Sequence, residues 1–397
     1  MIESRQTGSR APLWSSAFRP FYLLGAAYGP LLMLAWLGAY AGMWNQPGAD
    51  LSSWLWHGHE MLFGFAAAII SGVVLTALPS WAGTAEITGR RLALLVGLWL
   101  AGRLALLLPL PALPGAVLDC ALFPVMALFL LPQLLRLQNR YYLWLLPVLA
   151  GLFAANVVFH AGRILGDEAL ASLGLRLAIH AIILLYVLKG GILTPIFTGN
   201  ALRERVRGGD IPFMLWLDAL AVLSVLALAL ADLAGLPAAW TGAAALLACL
   251  VHAARLMRWR GWRVADIPLL LVMHLAYAWL VLAFALKAAA ELSGRLPEDA
   301  WLHAFTVGAL GMMMLGLMTR VVLHHTGRAL QLPPPIVFAY GLMFASAALR
   351  VSVTLCTLGT SWLTLSMLLW SAPFVIYLWL FGAMLWRPSL PRKPGAL

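Results

Sequence analysis

The chain has 397 residues, 63% of them hydrophobic and only 10% charged, with a formal net charge of +11. Soluble domains carry about 25% charged and about 45–50% apolar residues, so a water-soluble globular fold is excluded and an integral membrane protein is expected. The mean hydropathy of +0.90 agrees, and the basic residues lie between apolar runs, a distribution that sets topology and argues against a nucleic-acid partner.

In chain order, runs of roughly 20 apolar residues, the length that crosses a bilayer as a helix, are expected near residues 20–42, 57–81, 91–110, 113–134, 141–163, 172–197, 211–233, 236–256, 266–290, 299–320, 335–357 and 362–386. The fold class is therefore an all-α, polytopic membrane protein with about twelve transmembrane helices and no soluble domain. Prolines and glycines inside the runs are tolerated in membrane helices. The short polar start carries no cleavable apolar segment ahead of span 1, so no signal peptide is expected.

Nineteen of the 26 basic residues fall on one side of this layout, among them Arg19, Arg90, Arg91, Arg136, Arg203, Arg255 and Arg387. The positive-inside rule then makes both termini cytoplasmic, with Asp50, Asp167, Glu168, Asp232, Glu291, Glu298 and Asp299 in outward-facing loops. Cys120, Cys249 and Cys356 stand singly in apolar runs and read as structural thiols.

Spans 2, 6 and 10 are followed by Thr88-Gly89, Thr198-Gly199 and Thr326-Gly327, each with a leucine three residues after its glycine. His59 has glycines at +5 (Gly64) and +13 (Gly72), and His303 has Gly308 and Gly316 at the same offsets. These echoes predict three four-helix repeats, approximately 14–140, 141–265 and 266–397, in one transmembrane domain.

His57, His59, His160, His180 and His303 are all expected at one depth, in the outer third of the membrane. Ionisable groups inside a membrane are costly and tend to mark function, and neutral imidazole suits haem iron and copper alike. All five are candidate metal ligands, with His59, His180 and His303 as candidate cofactor ligands. His57 and His59, two apart, point about 200° away from each other on a helix, and the repeat favours His59 as the counterpart of His303. Glu60 is placed to orient an imidazole or to cap the helix. Asn156 and His160 share a helix face. Arg103, Arg163, Arg176 and Arg350 are candidates to hold haem propionates, with snorkelling as the other reading of Arg163 and Arg176. Lys189 with Tyr186 is a candidate proton path, and Met312-Met313-Met314 reads as packing.

The segments Phe18-Arg19-Pro20-Phe21, WHGHEMLFGF at 56–65, Gly190-Gly191 through Asn200, and Met318-Thr319-Arg320 with His325-Thr326-Gly327-Arg328 together resemble the NnrS family. These are bacterial inner-membrane proteins of twelve spans, linked to the nitric-oxide response in denitrifying and pathogenic bacteria. The resemblance implies haem b and copper as cofactors and nitric oxide as the ligand, with its reduction or detoxification as the enzymatic form of that activity and an unidentified electron donor. His324 departs from the pattern, which has glycine there. A remoter similarity of layout to haem–copper oxidase and nitric-oxide reductase subunits implies haem ligands at His59 and His303 and a second metal near His180; span 7, without a histidine, departs from it. The competing expectation is a transporter or channel for a metal ion or small solute that uses the same histidines as a pathway.

Overall fold

A computed structural model describes residues 11–45, 51–108, 111–205, 211 and 213–391; the expectations for Arg5, Arg10, Asp50, Arg207, Arg392 and Lys393 fall outside the described residues. Twelve long helices form, and no strand forms among the described residues. They are α1 (Phe18–Tyr40), α2 (Ser53–Ala82), α3 (Gly89–Leu107), α4 (Ala112–Arg136), α5 (Arg140–Leu165), α6 (Glu168–Glu204), α7 (Leu215–Leu233), α8 (Ala238–Arg258), α9 (Pro268–Ser293), α10 (Asp299–His325), α11 (Pro334–Leu355) and α12 (Thr360–Trp386). Eleven are long and apolar enough to cross a membrane. The twelfth, α3, holds Arg90, Arg91 and Arg103 within 19 residues, too many charges for an unassisted apolar span. Its inner arginine is neutralised by carboxylates of α2 and α4, as described below.

The chain is thus a multi-pass, all-α membrane protein. Large exposed side chains such as Leu31, Leu128, Trp216 and Trp379 form its lipid-facing surface. The most buried helices are α2 and α10, with α6 and α9 next, and α1 packs against α12 to close the bundle. Helix α2 and helix α10 share an irregularity: each winds as a π-helix immediately after a histidine, over Glu60–Ala66 following His59 and Ala304–Gly311 following His303. Such segments often accompany functional sites. The glycines five residues past those histidines admit bulky neighbours: a Cβ on Gly308 would lie 2.5 Å from the Trp279 ring.

The three Thr-Gly pairs do not share one turn. Thr88 precedes α3, and Thr326-Gly327 ends α10, but α6 runs through Thr198-Gly199 to Glu204. At about 1.5 Å per residue α6 is about 55 Å long, well beyond the about 30 Å of a hydrocarbon core, so it continues past the apolar run that marks span 6.

Arg19 explains the first motif. Its buried guanidinium donates from Nη1 to the carbonyls of Met384, Leu385 and Arg387 at 2.7–3.1 Å and from Nη2 to Ser389 Oγ at 2.8 Å, capping the end of α12. A cation there satisfies orphan carbonyls and the negative end of the helix dipole. Nearby, Leu390 N donates to Thr326 O at 2.9 Å and Ser389 Oγ donates to His325 O at 3.1 Å, so the segment after α12 seals the end of α10, and the start of α1 and the end of α12 lie at one end of the bundle. A Cβ on Gly327, whose φ is +74°, would lie 2.5 Å from Leu390 O. Arg19→Ala is expected to cost about 3 kcal/mol, since hydrogen bonds to charged groups contribute about 1.5–3 kcal/mol each; thermal unfolding in detergent measures it.

Candidate metal and cofactor sites

The five histidines expected at one depth lie toward the end of the bundle remote from the start of α1 and the end of α12, but on different sides of their helices. Helical rotation divides them among three sites.

The first site joins α2, α3, α4 and α5. His59 is fully buried and stacks on Phe159 with ring centroids 4.3 Å apart. Its Nδ1 donates to Glu60 Oε1 at 3.0 Å, while Nε2 faces Asn156 Oδ1 at 3.0 Å and Asp119 Oδ2 at 3.1 Å. His160 Nε2 lies 2.8 Å from the same Asp119 Oδ2, to which Asn156 Nδ2 also donates at 2.8 Å. Arg103 donates to Glu60 Oε1 at 2.7 Å and to Asp119 Oδ1, and the Tyr28 hydroxyl donates to Glu60 Oε2. The ligating atoms of His59, Asp119 and His160 all lie within 4.8 Å of one another. Glu60 therefore orients an imidazole, and Asn156 shares the face of His160. Arg103 is engaged by two protein carboxylates rather than standing free for a propionate.

Two glycines make this cluster possible. A Cβ on Gly102 would lie 2.5 Å from Asp119 Oδ1 and 3.0 Å from its Cα, and one on Gly64 would lie 2.6 Å from the Tyr28 ring and 3.1 Å from Arg103 Nη1. Gly64→Ala is expected to cost about 1–3 kcal/mol, the usual cost of overpacking. A fall in the melting temperature of the purified variant checks it.

The second site is a cavity of about 320 Å³ lined from α1, α2, α6, α10, α11 and α12, with His57, His303, Arg176 and Arg350 as its basic groups. Leu62, Leu175, Ile179, Val307 and Trp370 supply apolar walls. His303 Nδ1 donates to Asp299 O at 2.7 Å, which fixes the tautomer and leaves Nε2 with a lone pair. His57 Nδ1 and Arg176 Nε are buried without a hydrogen-bond partner. His59 is absent from the lining. His303 thus shares its cavity with His57 and not with His59, whose glycine spacing matches its own: a shared spacing does not make two residues neighbours, and the two α2 imidazoles face opposite ways.

The third site holds His180, whose Nε2 lies 2.9 Å from Asp232 Oδ2. Asp232 Oδ1 pairs at 2.7 Å with buried Lys287, which also reaches Glu291 at 2.8 Å and Glu298 at 3.1 Å. Asp232 therefore lies inside α7 and buried, not in an outward loop. His180 joins neither of the other two sites. This network ties α6, α7 and α9 together by compensated charges.

The sequence reading missed Asp119 and Lys287. A lone ionisable residue inside an apolar span was the available signal, and Gly102, beside the only arginine deep in α3, was another. Lys189, read as a proton path, is half-buried and lies 4.8–5.6 Å from the ring centroids of Trp81, Tyr141 and Tyr142, a cation–π cage that accounts for its place inside an apolar span. Met312, Met313 and Met314 are all buried in the core.

Fold and sites together define a polytopic helical membrane protein with buried histidine-containing sites near one end of its bundle. The NnrS protein family model matches residues 12–389, nearly the whole chain, and the chain belongs to that family. No curated protein matches it.

Proposed function

We propose that this chain is a haem- and copper-containing protein of the bacterial inner membrane, with cytoplasmic termini, that binds nitric oxide. The observation that carries the haem assignment is the cavity with His57, His303, Arg176 and Arg350 in its wall. Its volume falls in the about 300–1,000 Å³ range of cofactor pockets. Haem needs apolar walls for its ring, imidazole for its iron and cations for its carboxylates, and all three are present. His57, with a buried nitrogen that lacks a partner, and His303, with Nδ1 held by Asp299, would hold the iron. Haem bound there would supply an iron centre that takes nitric oxide when one of the two imidazoles leaves it or stays off.

The remaining work belongs to the side chains. The Asp299 carbonyl fixes the His303 ring, as outer hydrogen bonds do for ligating histidines generally. Arg176 and Arg350 attract carboxylates. Leu62, Leu175 and Ile179 exclude water. Copper is the second metal of this reading, and the family resemblance is its support.

The test is an absorption spectrum of the purified, reduced protein before and after nitric oxide is added. A Soret band that shifts is the expected result. Its absence after haem supplementation overturns the reading and returns the cavity to a solute pathway. Nitric-oxide consumption by the reduced protein, followed with an electrode, separates a reductase from a binding or sensing protein.

A further inference from the structure

We propose that His59, Asp119 and His160 bind one divalent first-row transition-metal ion at a site separate from the haem cavity. The inference deepens the reading above by giving its second metal a place, but its test does not depend on haem.

Three observations carry it. First, the donors converge: His59 Nε2 and His160 Nε2 lie 3.1 and 2.8 Å from one oxygen of Asp119, with all three ligand atoms within 4.8 Å of one another. Metal bonds of about 2.0–2.1 Å in tetrahedral geometry put donor atoms about 3.3–3.4 Å apart. The two nitrogen–oxygen distances reach that spacing by opening about 0.2–0.6 Å, and the two imidazole nitrogens, already within 4.8 Å, close on the same centre.

Second, His59 is oriented for ligation. Its Nδ1 donates to Glu60 Oε1, and Glu60 is itself held by Arg103 and Tyr28. This is the carboxylate–histidine arrangement that fixes a ligand tautomer and raises its basicity. The other nitrogen, Nε2, faces only oxygens, those of Asp119 and Asn156. A proton or a metal cation must lie between them.

Third, the charges leave room for a cation. Glu60 and Asp119 contribute two negative charges against the one positive charge of Arg103, all of them buried. The donor set also selects its class. Two imidazoles and a carboxylate, with no thiolate or thioether among them, suit divalent iron, copper or zinc rather than soft Cu(I).

The experiment strips the purified full-length protein with a chelator and reloads it separately with Zn(II), Cu(II) and, anaerobically, Fe(II). Metal per chain is measured after desalting, and nitrogen hyperfine structure is sought in the Cu(II) paramagnetic resonance spectrum. One equivalent of at least one ion is expected in the wild type, with nitrogen coupling for copper, and the three arms show which ion the site prefers. Retention is expected to fall at least tenfold in His160→Ala and Asp119→Asn. If Asp119→Asn does not fold, His160→Gln decides, because His160 contacts only the carboxylate of the cluster's ion pairs. No retained ion in the wild type, or equal retention in the His160 variants, overturns the proposal and leaves a proton-bearing ion-pair network. Failure of the haem reading is recognised separately: the Soret band is missing while the metal still binds.

Discussion

Arg103→Met is expected to destabilise the protein by about 3–5 kcal/mol, the cost of removing one partner from a buried ion pair. Arg103 is 4% exposed and is the single cation that bridges Glu60 and Asp119. Without it, in protein stripped of metal, two buried carboxylates remain with no arginine to compensate them. The methionine is close in length and apolar, so the loss reports charge rather than a cavity. Thermal unfolding in detergent measures it. Adding Glu60→Gln to Arg103→Met is expected to recover part of the loss, because one stranded charge is removed. A loss below about 1 kcal/mol, the range of exposed ion pairs, would show that the cluster is solvated.

The second large effect concerns the cavity. Arg176→Ala with Arg350→Ala is expected to weaken haem retention by about 10²–10⁴-fold, since each guanidinium–carboxylate contact contributes about 1.5–3 kcal/mol and about 1.4 kcal/mol is a tenfold change in affinity. Arg176 Nε is buried without a partner, and Arg350 has a Thr354 hydroxyl at 2.6 Å. Neither forms a close ion pair with a protein carboxylate as Arg103 does with Glu60 and Asp119, although Asp299 shares the cavity wall and faces Arg350. Haem still bound to the double variant should keep the band positions of the wild type, because the imidazoles are untouched. Titration of the haem-free protein with haem checks both statements. Unchanged affinity would place the carboxylates elsewhere.

Much of the fold was legible because burial in lipid forces it. Apolar runs of bilayer length gave the helices, and glycine spacing after His59 and His303 marked two helices that prove to be the most buried and to carry π-segments after those histidines. Depth was legible too, since residues counted along a span convert directly into height. Rotation about the bundle axis was not. His57 and His59 sit at one height yet belong to separate sites, and only packing decides which face of α2 meets α10 and which meets α5. The same limit hid Asp119, whose significance comes from four partners on three other helices. Helix α3 shows the converse: its three arginines exceed what an apolar span carries, and a long-range ion pair resolves the conflict.

Likeness of sequence spacing and contact in space are different relations. His59 matches His303 by spacing, while His57 shares its cavity. The haem assignment rests on that distinction.

The central claim is tested most directly by the absorption spectra of the wild type and of His57→Ala, His303→Ala and His59→Ala, purified side by side with haem supplied. The His57 and His303 variants are expected to lose haem or to shift its absorption bands, with retention down about 100-fold or more, since even outer partners of metal ligands cost about 10–100-fold. Folded His59→Ala is expected to keep the wild-type spectrum. A wild-type spectrum in His57→Ala and His303→Ala, with loss of haem in His59→Ala, would contradict the claim.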